Sequence, residues 1–117
     1  MATRSSINLF NKETGKIIGC YCHFDGYISH VGRLLKQNYT SDDQIKYLIY
    51  KGPIETLNTT IESSIFFIDG VQHHEVTTTI EIPSYNYDYL FINGEWLVRH
   101  SGTNERFISY TYETKED

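Results

Sequence analysis

Apolar residues open the chain in two short runs, Ile7-Asn8-Leu9-Phe10 and Lys16-Ile17-Ile18-Gly19-Cys20-Tyr21-Cys22, separated by the polar stretch Asn11-Lys12-Glu13-Thr14-Gly15. Short runs on either side of a glycine-containing turn predict a β-hairpin. Period-two alternation puts Ile18, Cys20 and Cys22 on one face, the core side, and Ile17, Tyr21 and His23 on the other. The second run continues through His23-Phe24-Asp25 to Gly26, where glycine is expected to supply the permissive backbone that takes the chain out of the strand. From Ile28 the spacing changes, with Ile28, Val31, Leu34, Leu35 and Tyr39 recurring at helical intervals against Arg33, Lys36 and Gln37. That pattern predicts an amphipathic helix with Ser29 as its N-cap. Ser41 followed by Gln44 reads as a capping box for a second helix, with Asp42 and Asp43 favouring its positive end. Ile45, Leu48 and Ile49 form its buried stripe, and Gly52-Pro53 ends it as a C′ glycine followed by a residue that cannot continue the ladder.

Beyond Ile54 the pattern turns to strands. Ser63-Ser64-Ile65-Phe66-Phe67-Ile68 predicts a buried strand, followed by a turn at Asp69-Gly70. The β-branched run from Glu75 to Ile82 predicts another, with Val76, Thr78, Ile80 and Ile82 on one face and Pro83 as the stop. Asn93-Gly94 between apolar alternations is the signature of a two-residue type I′ hairpin turn. The register it implies pairs Ile92 with Glu95, Phe91 with Trp96, Leu90 with Leu97, Tyr89 with Val98 and Asp88 with Arg99. One face of this hairpin carries Tyr87, Tyr89, Phe91, Trp96 and Val98, a set that reads as core. A loop over residues 101–104 leads to an expected last strand, Phe107 to Tyr112, and residues 113–117 are expected to fray. The expectation is therefore one α+β domain over residues 1–117: a mostly antiparallel sheet, with two helices inserted after the first hairpin and packed on one face.

Composition narrows the classes of function. At 117 residues the chain suits one domain, and its hydrophobic share of 39% is enough to offset ordering entropy. Ten tyrosines favour half-buried sheet faces and recognition surfaces. A net charge of −5 argues against binding to a phosphate backbone through counterion release. No apolar run approaches membrane-spanning length, and no signal-peptide pattern opens the chain, so a protein of the cytoplasm is expected. The chain is expected to fold unaided or as a small homo-oligomer. Two cysteines one residue apart cannot staple a domain, and reduced thiols are expected.

Three chemistries can be drawn from the residues around Cys20 to Tyr27. Cys20, Cys22 and His23, with His73 and His74, are thiolate and imidazole ligands of the kind zinc prefers, but Cys-x-Cys followed at once by His splits them between two strand faces. No metal or cofactor is therefore expected. His23, Asp25 and His30 suggest an acid-base set, since a carboxylate-oriented histidine serves many hydrolases, though no nucleophile elbow accompanies them. Arg4, Tyr21, His23, Asp25 and Tyr27 suggest recognition, with rings to stack on a planar ligand and charged tips to orient it. For each set a purely structural role, in packing or turn capping, is the alternative.

The pieces Met1-Ala2-Thr3-Arg4-Ser5, Cys20-Tyr21-Cys22-His23-Phe24-Asp25-Gly26-Tyr27, Val31-Gly32-Arg33-Leu34-Leu35 and Tyr89-Leu90-Phe91-Ile92-Asn93-Gly94-Glu95-Trp96 resemble a group of small, uncharacterised bacteriophage and prophage proteins. Those proteins carry the same opening, a Tyr-Cys-His-Trp-Asp-Gly-Tyr motif, a Val-Gly helix start and a similar closing hairpin. Phe24 stands here in place of their tryptophan, and Ile28 in place of their proline. The resemblance implies a phage-encoded accessory protein in a bacterial cytoplasm. By analogy with other small phage proteins, such a protein would inhibit a host or defence component by binding it, or sequester a small nucleotide-like ligand. The competing expectation is a small hydrolase using His23 and Asp25.

Overall fold

The computed structural model describes residues 2–68, 73–100 and 106–112. In chain order these form β1 (Ser5–Asn11), β2 (Lys16–Cys22), a wide turn Ile28–Gly32 that runs into α1 (Arg33–Asn38), α2 (Asp42–Lys51), β3 (Ile54–Thr56), β4 (Ile65–Phe66), β5 (His74–Val76), a 3₁₀ turn Thr79–Glu81, β6 (Tyr87–Ile92), β7 (Glu95–His100) and β8 (Ile108–Ser109). One sheet holds all the strands in the order β4-β3-β2-β1-β6-β7-β8, with β5 paired to β2. Pairing is antiparallel except between β1 and β6 and between β2 and β3. The fold is α+β, as the pattern of residues predicts.

Both hairpins form where the sequence places them. The predicted register of β6 and β7 is observed pair for pair from Ile92–Glu95 to Asp88–Arg99. Asn93 and Gly94 take φ of 55° and 78°, the two positive values that a type I′ turn requires. Ile7, Leu9, Ile18, Cys20, Tyr89, Phe91, Trp96 and Val98 supply the sheet side of the main core. Val31, Leu34, Leu35, Ile45, Leu48 and Ile49 supply the helical side. Polar tips of the buried aromatics go to backbone carbonyls: Trp96 Nε1 donates to Tyr39 at 2.8 Å, and the Tyr89 hydroxyl to Gly26 at 2.6 Å. These bonds tie the hairpin to the loop and the helical layer while leaving no indole or phenol group stranded.

On the opposite face, β-strand register lines up Tyr21, Ser6, Asp88 and Arg99 across four strands. Asp88 is fully buried and Arg99 almost so. Arg99 Nη2 and Nε reach Asp88 Oδ2 at 3.1 and 3.2 Å, while Oδ1 accepts from the Ser6 hydroxyl at 2.7 Å and the Tyr85 amide at 3.2 Å. Burial pushes the Asp88 carboxyl above its ordinary range, and the Ser6, Arg99 and Tyr85 interactions draw it back in part. The remaining guanidinium donors bond the carbonyls of Thr79 and Ile82 at 3.0 and 3.1 Å. That ties the segment before β6 down onto the sheet.

The structure departs from the sequence pattern in several places. Ser63–Ile68 is not a buried strand: only Ile65 and Phe66 are strand, at the sheet edge, and Ile68 is 95% exposed. The Glu75–Ile82 run is strand only as far as Val76. Thr78 and Glu81 then close a reciprocal capping box around a 3₁₀ turn, which leaves Ile80 exposed and Ile82 buried. Local side-chain hydrogen bonds have overridden β-propensity there. The last strand is confined to Ile108–Ser109, and the expected loop at 101–104 and frayed tail at 113–117 lie outside the described residues. Ser29 is not an N-cap, because a wide turn precedes α1. Gly52 is not left-handed (φ −61°); glycine is needed because a Cβ there would lie 2.7 Å from Cys20 Cβ and Sγ. Ser41 does cap α2, accepting from the Gln44 amide at 3.2 Å.

Replacing Arg99 by Met strands a buried carboxylate and is expected to lower stability by about 3–5 kcal/mol. Urea unfolding of Asp88→Asn, Arg99→Met and the double variant should show the double costing less than the sum of the singles.

Candidate functional site

The segment from Cys20 to Tyr27 is divided by strand alternation before any chemistry begins. Cys20 and Cys22 point into the core, and both are free and buried. Burial raises both thiols, Cys22 to about 12. His23 follows on the other side, and His73 and His74 lie elsewhere, His73 edge-on to the Tyr50 ring at 4.6 Å. Among the described residues no three His, Cys, Asp or Glu side chains gather as a metal-binding group.

The acid-base set is likewise separated. His23 Nδ1 lies 2.6 Å from the Tyr21 hydroxyl. With that hydroxyl donating, Nδ1 is the accepting nitrogen and the ring proton sits on Nε2. The Asp25 carboxylate instead accepts from the Tyr27 hydroxyl at 3.3 Å and faces His30 Nε2 at 3.9 Å. Its charge raises the Tyr27 phenol. Asp25, not Gly26, takes the left-handed backbone that ends the strand, with φ of 58°. Aspartate tolerates that region better than most side chains. Gly26 is required by close packing, since a Cβ there would sit 2.8 Å from Ser5 Cβ and from the Thr3 carbonyl oxygen.

The recognition set divides as well, into Arg4, Tyr21 and His23 on one side and Asp25 and Tyr27, with His30 beside them, on the other. The first group gains members that local sequence did not offer. Tyr85 stands 5.0 Å from Tyr21, ring centre to ring centre; His23 stands 4.5 Å from Phe24 and 5.8 Å from Phe67. Five rings thus run in series, Tyr85, Tyr21, His23, then Phe24 and Phe67, on the sheet side away from the helices. Burial pushes the Tyr21 phenol up, and the guanidinium of Arg4 beside it draws it part of the way back. Tyr85 enters because β6 pairs in parallel with β1 across a separation of 82 residues, which no local motif announces.

His74 serves a structural purpose. It faces Gly19 across the β2–β5 pair, and its ring crosses that glycine to place Nε2 2.7 Å from Asn8 Oδ1. A Cβ at Gly19 would lie 2.8 Å from Asn8 Cγ and would also meet the His74 ring. Asn8 Nδ2 donates to Tyr89 O at 2.9 Å and to Ser6 Oγ at 3.0 Å, which fixes Asn8 Oδ1 as an acceptor and His74 Nε2 as its donor. A relay therefore runs from His74 through Asn8 and Ser6 to Asp88.

No known family, curated protein or solved structure matches the chain. Among the described residues no helix is long and apolar enough to cross a membrane.

Two outcomes follow from these environments. Burial, with His73 adding to it, lowers the His74 pKa, so the unfolded chain takes up this proton more readily than the folded one. The stability it contributes is complete above the unfolded value of about 6.5 and is lost as pH falls from there through the folded-state pKa. Denaturation midpoints measured across that range should decline, and His74→Gln, which keeps a donor for Asn8, should flatten the decline. Iodoacetamide at mildly alkaline pH should label neither Cys20 nor Cys22 in the native protein and both after denaturation, as read by mass spectrometry.

Proposed function

We propose that the chain is a phage-encoded accessory protein that acts by binding, masking a host or anti-phage defence protein in the bacterial cytoplasm. The observation that carries this reading is where apolar surface is left open. Phe24 is 38% exposed and Phe67 36%, and Ile65 and Ile68 are also exposed, all at or beside the β4 edge of the sheet. The His23 ring sits between the two phenylalanines. Two open phenylalanines gathered around one imidazole make an apolar patch of the kind protein contacts use, whereas single exposed apolar residues need no explanation. Among the described residues, strand β4 is hydrogen-bonded to β3 on one side and ends the sheet order on the other, an arrangement suited to an added strand. The phage assignment draws its support from the N-terminal and Cys20–Tyr27 pieces of the sequence. Hydrolysis by His23 and Asp25 is the weaker reading, because Tyr21 occupies the one and Tyr27 and His30 the other.

The test is affinity capture from host lysate with the intact chain and with Phe24→Asp/Phe67→Asp, two positions open enough for the fold to tolerate the change. A protein retained by the first and lost by the second, at unchanged melting temperature, supports masking through this edge. Identical retention by both, or none by either, overturns it.

A further inference from the structure

The N-terminus holds a second recess on the same sheet side, built from residues that the masking surface does not use. Arg4 is fixed at its backbone: its amide donates to Asn86 Oδ1 at 3.0 Å, and its carbonyl accepts from the Tyr87 amide at 3.2 Å. Its side chain is exposed and lies beside the phenols of Tyr21 and Tyr85, both of which feel its charge. A depression of about 400 Å³ opens here, lined by Ala2, Thr3, Arg4 and Asn86. That volume falls in the range of about 300–1,000 Å³ occupied by small-molecule clefts. Outside its lining but beside Arg4, the partly exposed Tyr21 and Tyr85 rings meet at 53° with centres 5.0 Å apart.

We infer that Arg4, Asn86, Tyr21 and Tyr85 form a binding site for a planar heteroaromatic ring carrying one anionic group, the chemistry of a nucleoside monophosphate. A guanidinium on an anchored backbone matches the oxygens of a phosphate in a fork geometry that an ammonium cannot reproduce. Aromatic side chains hold a base by its π-face, with little regard to which base it is. The Asn86 amide, oriented by the Arg4 backbone, has its Nδ2 donors left to meet a phosphate or ribose oxygen. Asp88, the carboxylate nearest in sequence, is ion-paired with Arg99 beneath the surface, which offsets part of its charge. A chain of net charge −5 disfavours polyanions, so one anionic group on one ring suits the site better than a nucleic acid strand.

Isothermal titration of the full chain with adenosine 5′-monophosphate, adenosine and inorganic phosphate tests the assignment. The monophosphate is expected to bind, with adenosine and phosphate each weaker by about tenfold or more, because each retains only one of the two recognition elements. Arg4→Gln, at an exposed position, should weaken the monophosphate by at least about tenfold through loss of the charged hydrogen bonds. Tyr85→Leu should weaken adenosine and the monophosphate together. Titration reads this site and lysate capture reads the masking surface, so that failure of the one and failure of the other are told apart. Absence of binding by the monophosphate, equal binding by Arg4→Gln, or phosphate binding as tightly as the monophosphate overturns the proposal.

Discussion

A carboxylate with no exposure to water must be met on every side or it costs several kcal/mol, and the arrangement around Asp88 is dictated by that requirement. Ser6 comes from β1, Arg99 from β7 and the Tyr85 amide from the approach to β6. Each contributes at a place fixed by strand register, so the pair forms only when three adjacent strands are aligned. A one-residue slip would carry Asp88 into the apolar face beneath the helices. The ion pair thus adds to the specificity of a sheet whose main stabilisation comes from the opposite side. There Tyr89, Phe91 and Trp96 pack against Leu35, Leu48 and their neighbours.

The same requirement explains why this sheet can do without helices on its second face. Arg99 has donors left over after Asp88, and it uses them to fasten the carbonyls of Thr79 and Ile82. This holds an irregular segment against the sheet, and Ile82 covers Ile17 and Leu90 in a small apolar cluster of their own. Toward β2 and β4 the cover is thinner, and the rings of Tyr85, Tyr21, His23 and Phe67 stand partly in the open. The division between the covered and the open part of one face is what leaves these rings in reach of solvent.

Much of this was legible in the residues, and the boundary has physical causes. Asn93-Gly94 sets a register by turn geometry alone, and the helix stripes of Ile45, Leu48 and Ile49 are local as well. Both were therefore readable from neighbours in sequence. Ser63–Ile68 misled because an apolar run looks the same whether it is inside a sheet or at an unprotected edge. Thr77–Glu81 misled because Glu81 accepts from Thr77 and Thr78, a short-range bond set that outcompetes the strand those threonines favour. The candidate site is half visible in the sequence: the pattern marks Tyr21, His23 and Arg4. Tyr85, Asn86 and Phe67 arrive through pairings across long stretches of chain that no spacing rule encodes. The cysteines and Asp25, grouped with His23 by adjacency, were parted from it by strand alternation and by the left-handed turn.

The position of β1 in the strand order has a further consequence for how the molecule comes into being. It lies between β2, which follows it directly, and β6, whose paired residues come about 80 positions later. During synthesis, the strand that will become the middle of the sheet therefore waits with one edge bare, and with Ser6 and Asn8 unmet, while most of the chain is still being added. The β6–β7 hairpin then extends the sheet from the side opposite to where it began. That hairpin carries the strongest turn signal in the chain, so the slow long-range pairing is made by a partner that can already be folded when it arrives.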